Sequence, residues 1–344
     1  MLMNRAPVLT LAFILALFIS AGQTANAQDS DDVVRVNTTM VVLPVRVMDR
    51  HKQVVTGLKQ NQFRIFEDGV EQQITYFEAP SNTSNTPARS TDQPLTIALM
   101  LDVSDSTELK LQEIRSTAQS FVDLLRSDDR VIVVAFDKGF QILSRSTSSR
   151  AEVRAAIGHL RPGGGTSLYT ALSATITMLD ALGGRKVIVL LTDGVDTSSN
   201  GATSETTLRA AEQSYVSIYP IQFNTFGDFS DNSGRETYGA GDFGKIAHVT
   251  KNGEPASEAY KRATLYLRLL AEKTSGRFQF ADNPKNLANS FSRIAEQLRQ
   301  QYTIGYYPKN KLETSKPRQI KVTVGEPQLT VETRKSYFYK SANR

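Results

Sequence analysis

Four short runs of almost uninterrupted apolar residues constrain this chain more than any other feature: LTIALML at 95–101, RVIVVAF at 130–136, KVIVLLT at 186–192 and VSIYPIQF at 216–223. Each is short for a buried helix and lacks the alternation of a half-exposed strand. Such runs suit strands covered on both faces, the usual situation in parallel sheets. Around them, apolar residues recur at helical spacing: Leu111, Ile114, Ala118, Phe121 and Leu125; Leu168, Leu172, Ile176 and Leu179; Leu287, Phe291, Ile294 and Leu298. Strands alternating with amphipathic helices predict an α/β domain over residues 94–300, built on a doubly wound, mostly parallel sheet.

The flanks follow a different pattern. Residues 31–80 read as β structure, with Pro44 pointing to an edge or a bulge and Asp68-Gly69 to a hairpin turn. Residues 81–93, rich in Ser, Thr, Asn and Pro, read as a linker. Residues 301–344 return to short alternating runs, QYTIGYYP, RQIKVTV, LTVETRK and YFYK. Two β segments on either side of one α/β unit predict a small β domain interrupted by the larger one, because chain termini often lie close together. Residues 224–259 are Gly-, Asp- and Ser-rich and read as a long loop. If it leaves its strand at the edge shared with the oxygen-rich turns described next, Phe226, Phe229, Tyr238 and Phe243 become contact residues.

The start of the chain sets the expected compartment. Arg5, the run VLTLAFILALFI and the small-residue end ANA form a secretory signal peptide over residues 1–27, cleaved after Ala27. The apolar run is shorter than the roughly 20 residues of a membrane span, so a secreted or periplasmic protein without a transmembrane segment is expected. The chain has no cysteine, which excludes disulfides and thiolate metal sites. Its formal charge of +5 is spread without a basic stripe, which argues against nucleic-acid binding.

Oxygen gathers where the buried runs end. Asp102, Ser104, Asp105 and Ser106 follow the first run, Asp193 ends the third, and Thr166 and Ser167 follow the glycines of RPGGGTSLYTAL. In an open α/β sheet, ligands bind at the carboxyl ends of strands near the point where strand order reverses. Carboxylates and hydroxyls without His or Cys suit Mg²⁺, or Mn²⁺ or Ca²⁺, rather than zinc or copper. Each piece also has a plain structural reading: Ser104, Ser106, Thr107, Thr166 or Ser167 as helix caps, and Asp193-Gly194 as a turn. The glycines are expected to permit close approach and positive φ. Asp137 and Asp196 read as loop or cap residues.

The order D-x-S-x-S (Asp102, Ser104, Ser106), a Thr after a Gly-rich turn (Thr166) and T-D-G (Asp193) resembles the metal-ion-dependent adhesion site of von Willebrand factor type A domains. The flanking VTGLKQNQFRIFEDGVEQQITYF and YTIGYYP resemble the von Willebrand type A-related secreted proteins of acidobacterial-type genomes. The resemblance implies that Ser104 and Ser106 bind the metal directly, that Thr166 binds it directly or through water, and that Asp102 and Asp193 stand behind, orienting waters and balancing charge. It further implies recognition of a partner protein by an Asp or Glu carboxylate that completes the metal's coordination, without catalysis. Two other readings stay open on the residues alone. One is a structural envelope or scaffold protein whose metal only stabilises loops. The other is a metal-dependent hydrolase, although Ser104 replaces the second carboxylate of a D-x-D phosphotransfer site and no G-x-S-x-G elbow is present.

Overall fold

The computed structural model describes residues 40–80, 95–223, 254–309 and 316–338. The expected signal peptide, the linker 81–93 and the aromatic residues Phe226, Phe229, Tyr238 and Phe243 lie outside these residues. Among the described residues no helix is long and apolar enough to cross a membrane.

The described residues begin with β1 (Val41–Met48), β2 (Phe63–Glu67), β3 (Val70–Gln72) and β4 (Ile74–Glu78). The α/β unit follows: β5 (Leu95–Asp102), α1 (Leu111–Asp123), β6 (Arg130–Phe136), β7 (Phe140–Ile142), α2 (Arg150–Gly158), α3 (Leu168–Asp180), β8 (Arg185–Thr192), α4 (Ser204–Gln213), β9 (Ser217–Phe223), α5 (Ala256–Thr274), β10 (Gln279–Ala281) and α6 (Pro284–Arg299). It closes with β11 (Tyr302–Tyr306), β12 (Arg318–Val324), β13 (Thr330–Glu332) and β14 (Ser336–Tyr337).

The α/β unit is a doubly wound sheet in the order β10-β9-β8-β5-β6-β7, parallel except for β7 at one edge. Every residue of β5 is buried, because helices cover both faces. One face carries α1, α2 and α6 over Ile97, Leu99 and Leu101; the other carries α3 and α5 over Ala98 and Met100. The chain runs from β5 to β6 on one side and later returns to β8 on the other. Strand order therefore reverses at β5 and β8, the pair that ends in Asp102 and Thr192-Asp193. The long loop read from sequence is shorter at its end than expected: α5 starts at Ala256, preceded by Pro255, whose fixed φ suits a helix entry.

The flanking strands form two antiparallel sheets, β13-β1-β11-β4 and β14-β12-β2-β3, which share one core of Val41, Leu43, Val45, Ile65, Tyr302 and Ile320 among others. At the hairpin turn Asp68 (φ 49) and Gly69 (φ 83) both take the left-handed conformation that a two-residue turn of this kind demands. The second arm does not stay in its sheet. It breaks at Gln73, so that β3 pairs with β2 while β4 crosses over to pair with β11. Pro44 lies inside a strand flanked on both sides, yet costs no ladder bond. Its carbonyl faces the β13 side, where it accepts Thr333 Oγ1 at 2.8 Å, and the β1–β13 pairing ends at Arg46.

These sheets lie against the amino ends of the central strands, away from Asp102. Gln301 Nε2 donates to Tyr219 Oη at 2.7 Å, Arg185 pairs with Glu78 at 3.5 Å, and the Tyr337 ring packs tilted against that of Tyr215, centroids 5.9 Å apart.

Candidate metal centre

The site is built where β5 and β8 end. Their register sets Leu101 beside Leu191, so the next residues, Asp102 and Thr192, meet at the rim. Asp102 is fully buried; its Oδ2 accepts Thr192 Oγ1 at 2.6 Å and its Oδ1 accepts the Ser104 N–H at 3.0 Å. Burial and the neighbouring Asp193 charge push its carboxyl up to about 7, against the opposing hydrogen bonds from Ser104 and Thr192. Asp193, 2% exposed, is held from three sides. Its Oδ2 accepts Ser106 Oγ at 2.7 Å, its Oδ1 accepts Val195 N at 3.0 Å, and its carbonyl accepts Gln222 Nε2 at 3.0 Å.

Ser104 is the N-cap of the 3-10 turn Asp105–Lys110, but its side chain makes no capping hydrogen bond. Its Oγ lies 3.2 Å from Ser106 Oγ, and Ser106 donates to Asp193. The residue that braces the turn is Thr107, whose Oγ1 donates to the Asp102 and Ser104 carbonyls at 3.1 and 2.9 Å. Ser106 donates its O–H to a carboxylate and accepts from Ser104, which leaves one lone pair for a cation. Asp105 is exposed, as its place inside the motif suggested.

The glycine turn joins the other two loops through its backbone. Gly163 N donates to Val103 O at 2.7 Å, which ties it to the residue after Asp102. Thr166, 4% exposed, donates its N–H to Thr197 Oγ1 at 2.8 Å and accepts from Thr197 N and Ser198 N at 2.9 Å each, which ties it to the loop after Asp193. Positive φ is not the reason for the three glycines, since none of them adopts it. Close approach is the reason at two of them: a Cβ on Gly163 would run into Asp137 and one on Gly165 into Ser198, whereas at Gly164 it would meet only the flexible end of the exposed Lys138 side chain. Ser167 is the N-cap residue of α3 without a side-chain cap bond, and its Oγ donates instead to Lys138 O at 2.6 Å. Asp196 supplies that helix start, accepting Tyr169 N at 3.0 Å, and Asp137 closes its own turn by accepting Gly139 N at 2.9 Å. Both serve as cap or turn residues.

Sequence reasoning missed Thr192, Gln222 and Tyr260. Tyr260, near the start of α5, places its hydroxyl 3.3 Å from Asp193 Oδ2. Thr192 had a local signal, as the hydroxyl residue before the terminal Asp; Tyr260 had none, being 67 positions from its partner.

The donor set fits a hard divalent cation. Among the described residues no three His, Cys, Asp or Glu side chains gather at one point; here two carboxylates face hydroxyls. Such oxygens suit Mg²⁺, Mn²⁺ or Ca²⁺. The charge acting on buried Asp102 is a second carboxylate, a repulsion that a bound cation would relieve.

A family model of the von Willebrand factor type A domain matches residues 97–195. A UPF0353 protein of Nocardia farcinica is 24% identical over 233 residues, which is 61% of this chain and 65% of that protein. An uncharacterized protein of Synechocystis is 29% identical over 170 residues, 47% of this chain and 39% of its own. The matches thus span less than two thirds of these curated relatives. Among solved structures, the vWF domain of the type V pili tip protein Mfa5 from Porphyromonas gingivalis is 15% identical with a TM-score of 0.44, over 60% of this chain and 95% of that one. The family match opens inside β5 and ends two residues past Asp193, taking in both carboxylates and the glycine turn. This chain carries a von Willebrand factor type A domain.

Proposed function

We propose that this is an exported binding protein, with residues 1–27 as its signal peptide, that captures a partner protein by an Asp or Glu carboxylate through a divalent cation. Ser104, Ser106 and Thr166 hold the cation, most simply Mg²⁺, and Asp102 and Asp193 stand behind them. The type A domain occupies residues 94–300 and is borne by a β domain made of the flanks, which leaves the metal edge facing away from that base. The single observation that carries this reading is the direction of the serine hydroxyls. Ser104 Oγ and Ser106 Oγ turn to each other and to Asp193 rather than to the helix start that they adjoin.

When bound, the cation supplies a Lewis-acidic point for a carboxylate oxygen. The chain's part is to present neutral hydroxyls towards it and keep both carboxylates one step back, which leaves the cation's charge largely unquenched for a partner. A scaffold role would need the same oxygens but no partner. Capture of an envelope or secreted protein by wild type in Mg²⁺, lost in EDTA and in Asp102→Ala, supports binding; metal uptake without metal-dependent capture of any such protein supports the scaffold role.

A further inference from the structure

One face of α5 is spent on two residues, Asp193 and Gly194. Positions 260, 263, 264 and 267 follow helical spacing and so share that face. Tyr260 Oη lies 3.3 Å from Asp193 Oδ2. Thr264 Oγ1 donates to Gln222 Oε1 at 2.8 Å, and Gln222 Nε2 donates in turn to the Asp193 carbonyl at 3.0 Å. Gly194, with φ +88, leaves no room for a side chain: a Cβ would stand 2.9 Å from Leu267 Cδ1 and 3.1 Å from Ala263 Cβ. Side chain, carbonyl and following residue of Asp193 are therefore all referred to one helix.

The two hydroxyls on Asp193 Oδ2 are unequal. Ser106 is at 2.7 Å, an ordinary O–H to oxygen bond, while Tyr260 at 3.3 Å is longer than the usual range. Ser106 has a second duty on the metal reading, and its oxygen must move with whatever it holds. Tyr260 comes from α5, outside the three motif loops, and towards the carboxylate oxygen its hydroxyl can only donate. We propose that Tyr260 is a positioning residue for the metal centre, fixing the rotamer and charge of Asp193 while Ser106 engages the cation. This rests on the metal-site reading above and assigns to it a residue from outside the three motif loops. Groups that orient the residues around a metal typically affect affinity by about 10–100-fold.

Tyr260→Phe removes the hydroxyl and keeps the ring. Titration of the full-length mature chain with Mn²⁺, read by electron paramagnetic resonance, gives both affinity and the line shape of the bound ion; thermal unfolding in EDTA gives the fold's own stability. The expected result is an affinity about tenfold weaker in Tyr260→Phe, with a changed line shape and an unchanged melting temperature in EDTA. Equal affinity and line shape in both proteins would overturn the proposal and leave the metal site standing. A lower melting temperature with unaltered line shape would make Tyr260 a packing residue only, and overturn it too. Absence of Mn²⁺ binding by folded wild type would remove the metal reading itself, and this inference with it.

Discussion

Gly194 offers a test of how tightly the site is built into the fold. Gly194→Ala asks an L-residue to hold φ +88 and also to place a Cβ 2.9 Å from Leu267 Cδ1 and 3.1 Å from Ala263 Cβ. Gly201 is the natural control, since its φ is +79 and nothing lies within 4 Å of its Cβ position. Left-handed backbone costs an L-residue about 1–2 kcal/mol. Replacing Gly by Ala also stiffens the unfolded chain, which returns about 0.4–1 kcal/mol. Both terms are common to the two variants and cancel in their difference. What remains is the overpacking against α5, about 1–3 kcal/mol. Urea unfolding in EDTA, followed by circular dichroism, should place Gly194→Ala below Gly201→Ala by that amount at an unchanged m-value. Equal midpoints for the two variants would refute the claim that α5 is seated on residue 194.

Two further outcomes are expected. The raised carboxyl of Asp102, about 7 against an ordinary 3.8, means that the folded, metal-free protein binds this proton more tightly than the unfolded chain does. Its contribution to stability is therefore fully present below about pH 4 and is lost as pH rises through 7. Melting temperature in EDTA should fall between about pH 4 and 7 and level off above it, Asp102→Asn should flatten that slope, and Mg²⁺ affinity should rise as pH approaches 7 and the competing proton leaves; a flat profile in wild type would contradict this. At the far end of α5, buried Arg334 donates to the Ser214, Glu212 and Lys273 carbonyls at 2.7, 3.3 and 3.4 Å, so it joins the ends of α4 and α5 to the β domain. Arg334→Met leaves these carbonyls without their donor and should cost about 3 kcal/mol in urea unfolding, whereas a loss below about 1 kcal/mol would show that water replaces the guanidinium.

The central strands were readable because they are buried on both faces, so their composition alone marks them; β5, β6, β8 and β9 lie where the apolar runs fall. The helices with wide apolar stripes, α1, α3 and α6, were readable for the related reason that Ile114, Leu172 and Phe291 recur on one face. Others were not. In α4 the fully buried side chains are Thr207 and Ala211, and α5 packs partly through Ala259, Ala263 and Ala271, residues that leave little hydrophobic contrast. The same weakness extended the expected loop past Ala256. Motif order pointed to the residues of the candidate site, but the direction of each hydroxyl depends on neighbours far along the chain, as with Ser106 and Asp193. Tyr260 reaches the site through helix placement, which no local pattern encodes.

Isothermal titration of Mg²⁺ and Mn²⁺ into the mature chain, beside Asp102→Ala and Ser104→Ala, tests the account most directly. Asp102→Ala removes a buried negative charge and the acceptor of Thr192 Oγ1 and Ser104 N, so both the cation's charge balance and the shape of the loop are affected. The account predicts one site per chain in wild type, with affinity about 10–100-fold weaker in Asp102→Ala and also reduced in Ser104→Ala, while circular dichroism shows all three folded. Equal binding by wild type and Asp102→Ala, or no binding by folded wild type, would contradict it and leave the oxygens of residues 102–107 as a loop brace.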